Sequence, residues 1–219
     1  MRSFSEIEDI ARDRHGAALE DRIGNGPASP AELAKVPEDR WLAQFTKSVF
    51  QAGFNWKVIE AKWDGFEEAF RGFDVDACAF MAEDWFEDLT TDTRIVRNPI
   101  KIRTVQANAQ MIADMREKGG AGVVIGGWPS EDFVGLLAHL KAHGSHLGAA
   151  SGQYALRFLR RDGFILSRDV VARLVAEGVV DKAPTSKKAM AAVQAAFNAW
   201  RDQSGASLVR ISRVLALSV

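Results

Sequence analysis

The sequence predicts an all-α protein of short packed helices, and three observations carry that expectation. Apolar residues recur at helical spacing along most of the chain, as in Trp41, Leu42, Phe45 and Val49. Glycine stops punctuate these stretches at Gly53, Gly119-Gly120, Gly163 and Gly178. Only AGVVIGGWP, Ala121 to Pro129, reads as a short β-like run. Short helices on short connections bury their apolar stripes against one another in pairs. The whole chain, 1–219, reads as one domain.

The elements follow in order. Ser5 to Ile10 begins a short polar helix, and Gly24 to Pro30 (GNGPASP) is a loop ending where proline favours a helical start. Pro37, Glu38 and Asp39 open a helix with acidic residues in its first turn, and it stops near Gly53. Asn55 to Phe70 reads as one helix with Val58, Ile59, Trp63, Phe66 and Phe70 on one face. Asp74 to Met81 and Glu83 to Thr90 read as two short helices. Asn98-Pro99 is a turn, because the residue before proline avoids the helical region. Ile100 to Lys118 is amphipathic. Ser130 to Ala142 reads as a helix capped by Ser130. Helices over Ser151 to Asp162, Asp169 to Glu177, Ser186 to Ser204 and Leu208 to Leu217 complete the chain, with Gly163 stopping the first of them.

The totals exclude several function classes. A net charge of -1 argues against a general polyanion binder, though not against a local basic face. No run reaches the roughly 18 apolar residues of a membrane span, so no membrane partner is expected. The opening MRSFSEIEDIARDRHG is charged and lacks an apolar stretch, so no signal peptide is expected. The one cysteine, Cys78, can form neither an internal disulfide nor a cysteine zinc cluster, which fits a reducing, cytoplasmic setting. No phosphate-binding loop, dinucleotide fingerprint or nucleophile elbow occurs, and no cofactor is expected.

Four constellations carry possible chemistry. In QAGFNWKVIEAKWDGFEEAF, Gln51 to Phe70, the rings of Phe50, Phe54, Trp56 and Trp63 stand beside Gln51 and Asn55. Such rings either pack a core or stack on a flat ligand whose edge an amide can read. Around the Asn98-Pro99 turn, Arg94, Arg97, Lys101 and Arg103 either form a solvated basic face or meet phosphate at a helix start. Leu159 to Asp181 reads as helix, hairpin at Gly163, helix, flanked by Arg160, Arg161 and Arg168. That is either a plain αα-hairpin or one that presents backbone amides to a DNA strand. His139, His143 and His146 are spaced for one helix face, but Gly144 interrupts them, so no metal site is expected.

The order of QAGFNWKVIEAKWDGFEEAFRGFD, then RIVRNPIKIRTVQANA, then LRRDGFILSRDVVARLVAEGVV resembles the DNA-3-methyladenine glycosylase I family, among the helix-hairpin-helix glycosylases. The resemblance covers about residues 45–182, with 1–44 and 183–219 as divergent flanks. It implies an all-α enzyme that flips an alkylated purine from duplex DNA and hydrolyses its N-glycosidic bond, acting as a monomer on double-stranded DNA. Trp56 matches the family's pocket tryptophan, and Gln51, Phe54 and Asn55 lie in the same block. Arg97, Lys101, Arg161, Gly163 and Arg168 become the expected DNA contacts.

The departures are as informative. Ser48 stands where the family carries a base-reading glutamate. The pocket tyrosine near the family's N-terminus is absent, the chain's one tyrosine being Tyr154. The family's terminal zinc ligands are not matched. Asp181 follows the second hairpin helix, where the superfamily carries an aspartate that stabilises the sugar cation; the alternative is a helix-end carboxylate paired with Lys182 or Lys187. Expected catalytic positions are therefore Asp181 and Ser48. A homologue that binds DNA or a damaged base without cleaving it is the alternative, and an enzyme acting on a free nucleoside is a third reading. The tail, with Phe197, Trp200, Leu208, Ile211, Val214 and Leu215, closes the core.

Overall fold

The computed structural model describes residues Met1–Val219, and every regular element in it is helical. In chain order the α-helices are α1 (Phe4–His15), α2 (Leu19–Ile23), α3 (Pro30–Leu33), α4 (Glu38–Gln51), α5 (Trp56–Ala61), α6 (Trp63–Ala69), α7 (Val75–Ala79) and α8 (Glu83–Thr91). They continue as α9 (Pro99–Asp114), α10 (Ala121–Val124), α11 (Phe133–His143), α12 (Ala150–Phe158), α13 (Arg168–Ala176), α14 (Lys187–Ser204) and α15 (Leu208–Leu217). They gather into two compact units. One holds residues 1–28, 129–135 and 160–219; the other holds 29–128 and 136–159.

In the first unit, α1 and α13 pack on α15. Ser3 starts α1 with a reciprocal capping box to Glu6. The tail closes this core as its pattern predicts: Phe197, Trp200, Leu208, Ile211, Val214 and Leu215 are all fully buried. Phe164 stacks on Phe197 at 4.2 Å and meets Phe133 edge-on at 4.9 Å. The indole N–H of Trp200 donates to the Arg2 carbonyl at 3.0 Å. A buried ionic knot ties both ends of the chain together. Glu177 accepts from the Arg2 backbone N–H and guanidinium, each at 2.8 Å, and from Arg173 at 3.3 Å. Arg173 also donates to the Ser218 hydroxyl at 2.8 Å and to the Ser218 carbonyl.

The reversal between α12 and α13 departs from the sequence expectation. The helix ends at Phe158, and Arg160, not Gly163, takes the left-handed backbone, at φ 62°. Gly163 is needed for space: a Cβ there would lie 2.2 Å from the Phe133 ring. Gly163→Ala should therefore destabilise the protein by about 1–3 kcal/mol through overpacking. Urea unfolding measures this. Ser130 differs too. Asp132 accepts from the Gly135 N–H at 3.2 Å ahead of α11, while the Ser130 hydroxyl accepts from Arg161 at 3.2 Å.

In the second unit, α4 lies against α9 and α12, and α7 against α9. Trp41, Leu42, Phe45, Val49 and Phe50 give α4 its buried face. The helix expected over Asn55 to Phe70 is broken at Lys62 (φ -100°, ψ 2°) into α5 and α6. Gly65 lets the Arg94 backbone approach so closely that a Cβ would sit 2.6 Å from its carbonyl oxygen. Past the break Trp63, Phe66, Phe70 and Phe73 form a stacked ladder with centroids 5.4–6.2 Å apart. Val58 falls outside the buried face and is exposed. The β-like run holds no strand: Ala121–Val124 form α10 and a turn follows, with Gly122 and Gly126 allowing close approach to Leu33 of α3. Cβ atoms there would lie 2.5 Å from the Leu33 carbonyl oxygen and 2.6 Å from the Leu33 side chain.

Candidate base-binding site

The loop between α4 and α5 builds the site. Gln51 closes α4, Gly53 reverses the chain at φ 75°, and the Asn55 side chain caps α5 by accepting from the Lys57 N–H at 3.0 Å. This sets Trp56 at the first position of α5. The indole is 41 % exposed and leans on two rings of α12, Tyr154 at 5.4 Å and Phe158 at 5.8 Å. Phe54 is equally exposed, and the Lys101 ammonium lies 4.6 Å from its ring centre.

The aromatic set singled out in the sequence thus divides. Phe50 is core, edge-on to Phe66 at 4.8 Å. Trp63 belongs to the ladder and donates its indole N–H to Glu67 at 3.0 Å. Phe54 and Trp56 remain exposed.

Behind Trp56 lies a polar relay. Gln51 is buried and donates its amide nitrogen to Glu60 at 3.2 Å. A carboxylate only accepts, so this bond fixes the amide orientation. The Gln51 carbonyl oxygen is then buried with no donor. Glu60 also accepts from Lys47 at 2.7 Å, and Lys47 sits 4.8 Å over the Trp63 ring. Glu60 is four residues past Trp56, on the same face of α5. Ser48 is buried and accepts from the Gln44 amide at 3.1 Å.

The expected DNA contacts fall into distinct environments. Arg97 is exposed and bonds to nothing. Arg94 is tied to Asp92 and Glu68, and Arg103 to Glu83. Lys101 donates to the Phe50 carbonyl at 3.2 Å and the Ala52 carbonyl at 2.5 Å, capping α4. Burial pushes its ammonium below the usual lysine range. Lys101→Met should cost about 2 kcal/mol of stability by stripping a charged donor from two carbonyls, as thermal unfolding would show.

In the first unit Arg161 is buried, donating to Ser130 and to the Asp162 carbonyl at 2.6 Å, and Gly163 is packed beneath Phe133. Arg168 has a side chain 95 % exposed, and it reaches only the neighbouring Asp169, at 3.4 Å. Asp181 is exposed and forms no ion pair, with Lys182, Lys187 or any other cation. The histidines do not converge. His139 and His143 lie 4.5 Å apart with their rings tilted by 40°, while His146 turns to Ser145 at φ 61°. Burial pushes the His139 imidazole below its ordinary range, with His143 adding to the shift.

Sequence reading missed Tyr154, Phe158, Glu60 and Lys47. Only the i, i+4 spacing of Tyr154 and Phe158 on one helix face signalled any of them.

Comparison with known proteins sets the fold. The chain superposes on a Methanocaldococcus jannaschii 8-oxoguanine DNA glycosylase at TM-score 0.54 and 12 % identity, covering 95 % of this chain and 89 % of that one. A 3-methyladenine DNA glycosylase I structure aligns at 20 % identity and TM-score 0.48, covering 58 % and 79 %. The fold is thus that of the helical DNA glycosylases. Residues 36–123 match the family model described as methyladenine glycosylase. That match spans less than half of the chain. No curated protein matches. The matched segment contains Ser48, Gln51, Trp56, Arg97 and Lys101, and it ends before the α12–α13 reversal. No helix is long and apolar enough to cross a membrane.

Proposed function

We propose that the protein is a DNA glycosylase that hydrolyses the N-glycosidic bond of an alkylated purine such as 3-methyladenine. The observation that carries this is the exposed Trp56 at the head of α5, inside the segment matched to the methyladenine glycosylases. An extruded base stacks on the indole, and its edge meets the buried Gln51 side chain, whose carbonyl oxygen needs a donor. Ser48 contacts the edge through a water. Arg97 and Arg168, exposed and little engaged, take phosphates, with Lys101, Arg161 and Gly163 shaping the segments that carry them.

An alkylated purine carries positive charge and leaves readily. The bond from the sugar C1′ to the base nitrogen breaks, its electron pair neutralises the base, and an oxocarbenium ion remains. Asp181, whose charge no ion pair offsets, stabilises that cation. Water adds to C1′, loses a proton and leaves an abasic site. The protein's work is extrusion, stacking and cation stabilisation, with little demand for acid catalysis.

A second reading is a homologue that binds DNA or a damaged base without cleaving it. Ser48 favours it, because a neutral hydroxyl already occupied by Gln44 cannot act as the family's glutamate. One paired experiment separates the two: methylated duplex DNA is assayed for gel-shift binding and for abasic sites. Abasic sites support the glycosylase; binding without them supports the second reading.

A further inference from the structure

The charge of the chain is unevenly placed. Asp64 to Asp92 holds ten carboxylates and one cation, Arg71, although the whole chain is nearly balanced at 28 cations and 29 carboxylates. Half of these carboxylates find an arginine: Glu67 pairs with Arg40, Glu68 and Asp92 with Arg94, Asp76 with Arg116 and Glu83 with Arg103. Asp84, Glu87 and Asp88 on α8 are exposed and find none. Asp84 and Asp88 stand one turn apart on the same helix face, where like charges repel. These two line a cleft of about 360 Å³ together with Arg71, Phe80 and Trp85. Phe80, just past α7, is 84 % exposed, more than any other large apolar side chain of the protein. A lone exposed ring is ordinary, but one at the rim of a cleft, beside a second ring and unpaired charge, is an anchor point. The Trp85 indole is fixed by its N–H bond to the Ala69 carbonyl at 3.3 Å. The Arg71 guanidinium lies 4.1 Å from that ring's centre and forms no ion pair, so the cleft already holds one cation against its indole.

We propose that the cleft between Phe80 and α8 docks a basic segment of a partner protein, which presents an apolar residue to Phe80 and Trp85 and lysine or arginine to Asp84 and Asp88. The occupant follows from charge complementarity. A nucleic acid is a polyanion and is repelled from this face, so the surface is separate from any DNA contact and independent of how Trp56 is read. A cation placed between Asp84 and Asp88 relieves their repulsion, and an apolar side chain beside it takes Phe80 out of water. The surrounding carboxylates speed the encounter, and salt weakens it.

The test uses the full chain and two synthetic probes, a lysine-rich peptide with a central phenylalanine and the same peptide with serine in its place, with affinities from fluorescence anisotropy. The wild type should bind the phenylalanine peptide about tenfold more tightly. Phe80→Ser, which alters only an exposed ring, should bring the two peptides to parity. Asp84→Asn with Asp88→Asn should weaken both peptides by about tenfold. Asp9→Asn with Asp13→Asn removes the same charge from the exposed face of α1 and should change neither. No binding, no preference, a preference that survives Phe80→Ser, or an equal loss in the α1 variant each overturns the proposal. Amide NMR shifts of the wild type on adding the phenylalanine peptide need no variant: they should move around Phe80 and α8, and shifts confined to other surfaces overturn it. Sedimentation of the protein alone completes the test, since a dimer that Phe80→Ser dissolves would overturn the proposal by giving the cleft to a second copy of the chain.

Discussion

Trp56→Ala should lower base release from methylated DNA by roughly tenfold to a hundredfold, since base–aromatic stacking contributes about 1–3 kcal/mol per base. The loss should come with little change in stability. The indole is 41 % exposed at the first turn of α5 and meets the Tyr154 and Phe158 rings of α12. Alanine is also a good helix former there. Circular dichroism and thermal unfolding provide the control. Trp63→Ala should behave oppositely. That ring is stacked in the ladder and bonded to Glu67, so its removal unfolds the unit before it affects a ligand. Release that is unchanged in a folded Trp56→Ala variant would contradict the assignment of the base site.

Glu177→Ala should be the most destabilising single change, by about 3–5 kcal/mol, because it strands a buried guanidinium. The side chain of Glu177 is 1 % exposed and that of Arg173 10 %, and the knot joins residue 2 to residue 218. The same group sets an acid limb. Burial alone would raise the Glu177 carboxyl, but the Arg2 N–H and guanidinium, with Arg173, outweigh it and hold the group below its ordinary 4.5. A carboxylate depressed in the native state contributes stability above its unfolded value. That contribution is lost as pH falls through the native value. Stability of the wild type should therefore drop below pH 4.5, and Glu177→Gln should lack that part of the fall. Urea titrations across acidic pH measure both. A variant with the wild-type acid limb would show the knot to be energetically idle.

The all-helical class, the long helices and the tail's role in the core were legible because periodicity and capping are local. Ser186, Ser207 and Asn98 cap α14, α15 and α9, at or beside the boundaries that the pattern gives. What could not be read was set by packing at a distance. Gly163 looks like a helix stop but is small because Phe133, thirty positions earlier, needs the space. AGVVIGGWP looks like a strand because its glycines serve the approach of α3. In the candidate site, Trp56 and Gln51 were legible from their block. Which of four aromatics stays exposed was not, because that depends on the break at Lys62, which sends Trp63 inward. Arg161 had the right charge and an ambiguous position; its guanidinium turns inward to Ser130. The rings of α12 carried no motif, since their meaning comes from lying against α5.

The measurement that tests the central claim most directly is chromatography of the bases freed when the purified protein is incubated with methylated duplex DNA. The account predicts that free 3-methyladenine or 7-methylguanine accumulates with the wild type and falls in Trp56→Ala in proportion to lost stacking. No free base from a folded, DNA-binding wild type would contradict it, and would leave a glycosylase fold that holds DNA without cutting the glycosidic bond.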